Sequence, residues 1–173
     1  DEASDIVIDC LGFGLAQKET ILTRSGARPG DILAVTGLFG DTSAAFKVLL
    51  DRSEIPKKLR KQLVRTVLFP RAQLKQGLAL SRLGAVTSSI DSSDGLAWSL
   101  HELCRMSHVG FVLEKLPSSP LARRYAELTK MKVSDLVLYG GEEFKLVLTV
   151  DPECWKIAER AVSRAGGTLY KIG

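Results

Sequence analysis

Apolar and polar residues alternate at the start of the chain, with Ile6, Ile8 and Cys10 set against Val7, Asp9 and Leu11. A period of two predicts a strand from Asp5 to about Leu15, and Gly12 and Gly14 inside it mark a bend or bulge. Ser25-Gly26-Ala27-Arg28-Pro29-Gly30-Asp31 is a dense turn signal, and the apolar run Ile32 to Thr36 fits a buried strand. Gly37 and Gly40 end that run, Asp41 or Thr42 suits a helix cap, and Ala44, Ala45, Val48 and Leu49 recur at helical spacing. Pro56 to Leu83 reads as helix in two pieces, divided at Phe69-Pro70 because proline lacks an N–H and biases its neighbour away from the α conformation. A strand is predicted for Ala85 to Ile90. An amphipathic helix follows, marked by Leu96, Ala97, Leu100, Leu103 and Cys104. The remaining expectations are a strand at Val109–Leu113, a loop and helix from Pro117 to about Lys130, a strand at Phe144–Val150, a helix at Glu153–Arg164 and a last strand at Thr168–Ile172.

Helices interleaved with strands predict an α+β (α/β layered) domain, a mixed sheet with flanking helices. At 173 residues the expectation is one main domain, able to bury about 68–70% of its unfolded surface without disulfides or structural metal. Lys and Arg number 24 against 20 Asp and Glu, a net charge of +4 that is spread along the chain and argues against a polybasic, nucleic-acid-binding protein. The basic face Lys57-Lys58-Leu59-Arg60-Lys61 has no interleaved aromatics and reads as a solvated surface. Apolar stretches fall short of the ~20 residues of a membrane helix. Three widely spaced cysteines, Cys10, Cys104 and Cys154, suit buried thiols in a reducing compartment. With only His101 and His108 and no Cys-x-x-Cys pair, zinc chemistry and a Ser-His-Asp hydrolase are poorly supported.

Four stretches could carry chemistry. Asp91-Ser92-Ser93-Asp94-Gly95 stands at a strand-to-helix junction, with two carboxylates three residues apart. Such a pair suits a hard cation such as Mg²⁺, and a helix N-terminus favours phosphate, while capping by Ser93 or Asp94 is the commoner role of such a pattern. Gly37-Leu38-Phe39-Gly40-Asp41-Thr42-Ser43-Ala44-Ala45 permits close backbone approach but matches neither nucleotide-binding glycine fingerprint, so a structural cap is the better local reading. Gly140-Gly141-Glu142-Glu143 could present a carboxylate to a ligand, with either Glu142 or Glu143 as the one facing it, or be a solvated turn. Arg24, in Thr23-Arg24-Ser25-Gly26, could fork onto phosphate oxygens or simply be solvated.

In order, Leu22 to Asp31, Val35 to Ala45, Asp91 to Ala97 and Gly140 to Leu146 resemble the thiamine-monophosphate kinases of the aminoimidazole ribonucleotide synthetase-like superfamily. The resemblance covers essentially the whole chain and implies a fragment: residues 1–31 as the final strand and linker of a truncated N-terminal domain, and 32–173 as the C-terminal domain. It implies an ATP-dependent, Mg²⁺-requiring phosphorylation of thiamine monophosphate to thiamine diphosphate by a cytoplasmic homodimer, with no nucleic acid or membrane partner. Position by position it makes Asp91 and Asp94 metal ligands, Ser93 and Arg24 ATP contacts, and Glu142 a substrate contact.

The chain departs from the family pattern at Ser92, usually aliphatic, and at Glu143-Phe144, usually Asp-Tyr. A Gly-Gly-Asp-Thr element with further acidic ligands, and a C-terminal aromatic substrate-binding segment, are not in these residues. The chain alone is therefore expected to be catalytically incompetent. The competing readings are a non-catalytic binding or dimerisation module and another ATP-using member of the superfamily.

Overall fold

The computed structural model describes residues 6–51 and 53–173. Four strands, β1 (Ile32–Val35), β2 (Val86–Asp91), β3 (Leu146–Val150) and β4 (Tyr170–Lys171), form one sheet in the order β2-β3-β1-β4. The helices are α1 (Asp41–Leu50), α2 (Lys57–Leu68), α3 (Leu74–Ser81), α4 (Leu96–Ser107), α5 (Pro120–Thr129), α6 (Val133–Leu138) and α7 (Trp155–Arg164). The expected α+β sheet with flanking helices is borne out. Its pairings are all antiparallel rather than mixed, because β3 enters between β1 and β2 and runs against both.

The central strands read as apolar runs because both faces of the sheet are covered. Leu33, Val35, Ile90 and Val147 face a core shared with Leu96 and Leu103 of α4. Ala34, Leu148 and Val150 face Leu80 of α3 and Ala158 and Val162 of α7. A third cluster joins α1, α2, α5 and α6 through Val48, Leu63, Tyr125 and Leu136. The turn before β1 closes with Pro29 and a left-handed Gly30, and the N–H of Asp31 donates to Arg28 O at 3.1 Å. Its carboxylate accepts from the Arg28 N–H at 2.8 Å and the Thr87 hydroxyl at 2.6 Å, which locks the turn onto the irregular start of β2.

Several elements differ from expectation. No strand forms between Ile6 and Leu15, and Ile6, Val7, Ile8, Leu11, Phe13 and Leu15 are exposed; Asp5 lies outside the described residues. An alternating segment becomes a strand only beside a partner edge, and the outer side of β2 is met instead by Thr23, whose carbonyl accepts from the Ser89 N–H at 2.8 Å. Val109–Leu113 is irregular, although the Glu114 and Lys115 amides both donate to Ile172 O. Helix α6 was not anticipated, since six residues between a left-handed Lys130 and Gly140 are too few to show a helical period. The cysteines are free, but none is fully buried: Cys10 is exposed, and Cys104 and Cys154 are partly buried. No helix among the described residues is long and apolar enough to cross a membrane.

Ser92 is fully buried and its hydroxyl has no hydrogen-bond partner among the described residues. An orphaned buried hydroxyl costs about 1–3 kcal/mol. Ser92→Ala is expected to raise the unfolding free energy of the chain by about 1 kcal/mol in a urea titration. A lowered midpoint would contradict this packing account.

Candidate functional site

Two of the four stretches are clamped together by their backbones. The Ser92 N–H donates to Lys145 O at 2.8 Å, and Ser92 O accepts from the N–H groups of Glu143 (3.2 Å) and Phe144 (3.1 Å). The Glu142 N–H donates to Ser93 O at 2.7 Å. The approach is so close that a Cβ on Gly141 would lie 2.5 Å from Ser93 O, which explains the glycine there. Glu142 (φ 60°) and Phe144 (φ 50°) both take left-handed backbone, a conformation that costs non-glycine residues about 1–3 kcal/mol and persists only where surrounding bonds enforce it.

The Gly37–Ala45 stretch docks on the same segment. The Thr42 hydroxyl donates to Gly141 O at 2.7 Å, and the Gly40 N–H donates to Glu143 Oε1 at 2.6 Å. Glu143 is buried, and its other oxygen pairs with Lys145. Asp41 accepts from the Ser119 hydroxyl, which in turn accepts from the Ala122 N–H at 2.9 Å as the cap of α5. Burial pushes the Asp41 carboxyl above its ordinary value of 3.8, partly offset by the Ser119 hydrogen bond, and the neighbouring charge of Glu143 adds to the rise.

Neither helix is capped as expected. Gly40 and Gly95 are the N-caps of α1 and α4, and neither helix has a side-chain cap bond. Asp41 and Thr42 are engaged elsewhere. Ser93 donates to Asp94 Oδ2 at 3.1 Å instead of capping α4.

Asp91 ends β2 and Asp94 precedes α4, and both are exposed. Among the described residues neither joins an ion pair, and Asp94 accepts only from Ser93. Among the described residues there is also no cluster of three or more His, Cys, Asp or Glu that could hold a metal. Two exposed carboxylates with unspent lone pairs fit Mg²⁺, which is commonly bound through one or two carboxylates together with substrate phosphates. Arg24 stands further along α4. Its guanidinium lies 3.9 Å from Glu102, whose carboxylate takes two 3.0 Å hydrogen bonds from Arg105 and is held below its ordinary 4.5 chiefly by them. Among the described residues no hydrogen bond joins Arg24 to Ser93 or Asp94. The structure thus gathers Ser93, Asp94 and Glu142 at one backbone junction and sets Arg24 beside Glu102.

Glu142 is exposed and lines a cleft of about 480 Å³ together with Asp41, Arg65, Phe69, Arg71 and Lys145. Asp94 lines a separate, shallower groove with Trp98, His101 and Tyr139. Sequence reasoning missed Asp41 as a partly buried acid, and Arg65 and Arg71 as cleft residues. It left the two glutamates unseparated, because residues 142 and 144 take left-handed backbone before β3 begins and no strand periodicity sorts their side chains.

No family model matches the chain. Comparison of folds defines the class first: HypE from E. coli, a hydrogenase maturation protein, shares the fold at 22% identity and a TM-score of 0.65, covering 88% of this chain and 46% of that one. AaThiL complexed with AMPPCP and TMP superposes with a TM-score of 0.75 at 28% identity, covering 88% of this chain and 47% of that one. In sequence, the thiamine-monophosphate kinase of Nitrosopumilus maritimus is 33% identical over 169 residues, 98% of this chain and 52% of the relative. That of Halobacterium salinarum is 38% identical over 175 residues, 100% of this chain and 54% of the relative. The chain is a relative of the thiamine-monophosphate kinases and spans about half the length of the curated relatives it matches.

The raised Asp41 carboxyl has a consequence for stability. Its contribution is fully present below pH 3.8, where the group is protonated folded and unfolded, and is lost as pH rises through the higher folded value. Asp41→Asn keeps an acceptor for Ser119 and removes the buried charge. Urea unfolding should find the variant more stable than the parent at pH 7, with the gap closing as pH falls toward 3.8; a gap independent of pH would refute this.

Proposed function

We propose that this chain forms the C-terminal half of an ATP-dependent kinase that converts thiamine monophosphate to thiamine diphosphate with Mg²⁺. In this reading residues 1–31 are the end and linker of a preceding domain and 32–173 the C-terminal domain, in a cytoplasmic homodimer. The supporting observation is the backbone clamp that holds Ser93 and Asp94 next to Glu142, in a chain that aligns along nearly its whole length with kinases of that name.

Asp91 and Asp94 would hold the cation, which supplies charge neutralisation to a polyphosphate when bound. Ser93 and Arg24 would contact ATP, and Glu142 the acceptor substrate. Phosphoryl transfer asks mainly for in-line positioning and for positive charge around the transferred group. The acceptor phosphate is itself the nucleophile, so the lack of a histidine near Asp91 and Glu142 is no obstacle. A rigid clamp suits this task, because a donor held at Asp94 and an acceptor held at Glu142 are spaced by backbone hydrogen bonds rather than by mobile side chains.

Titration of the chain with ATP and Mn²⁺ as a paramagnetic substitute should show binding that Asp91→Asn and Asp94→Asn each weaken at least about tenfold, roughly 1.4 kcal/mol, with Asp135→Asn as an unaffected control. Binding that survives both substitutions, or is absent from the unsubstituted chain, favours a non-catalytic module. Two carboxylates and one arginine cannot neutralise a triphosphate and hold several cations, so the 173 residues alone should give no thiamine diphosphate in a coupled assay. Measurable turnover would contradict that account of the missing charges.

A further inference from the structure

Arg24 is anchored through its main chain and left loose at its side chain. The Ser107 hydroxyl, at the end of α4, donates to Arg24 O at 3.2 Å and accepts from the Ala27 N–H at 3.2 Å. The Ser89 N–H of β2 donates to the neighbouring Thr23 carbonyl at 2.8 Å. The Arg24 side chain is about half exposed, and among the described residues its guanidinium makes no hydrogen bond and has one ionic neighbour, Glu102.

Glu102 has the opposite character. Only 11% of its side chain is exposed, so its charge needs partners within the protein. Arg105, one turn further along α4, supplies them. Its Nε donates to Oε1 and a terminal nitrogen to Oε2, both at 3.0 Å, in the fork that a guanidinium makes and an ammonium does not. The Arg24 guanidinium lies 3.9 Å from Oε2, too far for a hydrogen bond, and His101 Nδ1 stands 4.0 Å from Oε1.

Two guanidinium groups against one carboxylate leave one positive charge uncompensated, and the hydrogen-bond geometry leaves it on Arg24. A nearly buried carboxylate that loses a partner turns to the closest replacement, because a stranded charge is costly. Here the closest permanently charged donor is Arg24, whose backbone is pinned within reach.

We infer that Arg105 is a positioning residue for the nucleotide site: by occupying both oxygens of Glu102 it keeps the donors of Arg24 free for phosphate oxygens. The inference rests on the kinase reading, in which Arg24 contacts ATP, and deepens it with a residue that acts through Arg24 rather than on the ligand.

The test is calorimetric titration of the chain with Mg²⁺-ATP, combined with NMR of the arginine side chains in the ligand-free chain. Arg105→Lys keeps the charge but removes the fork, which releases one Glu102 oxygen to Arg24. It should weaken Mg²⁺-ATP at least about fivefold in the parent background and less than about twofold in the Arg24→Gln background. The Arg24 guanidinium protons of Arg105→Lys should exchange with water more slowly than in the parent. Adding Glu102→Gln to Arg105→Lys removes the competing carboxylate and should restore the affinity at least to that of the parent. An equal loss in both Arg24 backgrounds makes Arg105 a direct phosphate contact and overturns the inference. Affinity unchanged by Arg105→Lys, while Arg24→Gln weakens binding, overturns it and leaves the kinase reading standing. Affinity indifferent to Arg24→Gln but lost in Asp94→Asn overturns it too, and leaves the cation site standing. If the parent chain does not bind Mg²⁺-ATP at all, the kinase reading falls and the inference falls with it.

Discussion

The Glu143 carboxylate lies almost entirely out of water and spends both oxygens inside the protein, one on the Gly40 N–H and one on Lys145. Several residues that look independent in the sequence answer to this pair. A Cβ on Gly37 would come within 2.9 Å of the Lys145 stem, so a larger residue at 37 would push that stem from its place beside Glu143. Phe39 presents its ring 5.2 Å from the ammonium group, and Gly40 turns left-handed (φ 102°) with its N–H on the carboxylate. Removing one partner of such a buried pair costs about 3–5 kcal/mol, because the remaining charge is stranded. The Gly37–Ala45 stretch, expected to serve as a structural cap, is thus largely a receptor for an internal carboxylate.

That commitment decides what its neighbour can do. With Glu143 turned inward, Glu142 is thrown to the surface, and the left-handed backbone at residues 142 and 144 is the strain of making that reversal between two bulky residues. The clamp to Ser92 and Ser93 keeps the strained conformation in place. Two adjacent glutamates of identical chemistry therefore divide into one that holds the fold and one available to a ligand. The same division separates Asp41, partly buried against Ser119, from Asp91 and Asp94, which stay in solvent with most of their lone pairs unspent.

Elements that bury a regular face were legible in the sequence. The apolar runs of β1 and β3 and the helical spacings of α4 and α7 follow directly from cores on both sides of the sheet, and those of α1 and α2 from the third cluster. The break at Phe69-Pro70 was legible as well, since it lies in proline's own chemistry. What failed depends on partners that periodicity does not see. Ile6 to Leu15 has the pattern of a strand without an edge to pair with, and Val109–Leu113 forms no ladder, the backbone bonds to Ile172 coming from residues 114 and 115 after it. The caps failed for a related reason: Ser, Thr and Asp before a helix will cap it unless a stronger tertiary partner claims them. Ser119, Gly141 and Asp94 claim the side chains of Asp41, Thr42 and Ser93.

Ser92 shows why the site tolerates change at one position and not at the next. Its backbone N–H and carbonyl carry three of the four hydrogen bonds of the clamp, so the geometry of the turn is set by main chain alone. The side chain contributes only an unpartnered buried hydroxyl. A serine can therefore stand at this buried position at a cost in stability, without displacing Ser93 and Asp94. Gly141 has no such freedom, because there the Cβ itself would push against Ser93 O. Where main-chain bonds space the groups of a site, the residues under strictest constraint are those that let the two backbones meet, and the side chains between them can drift.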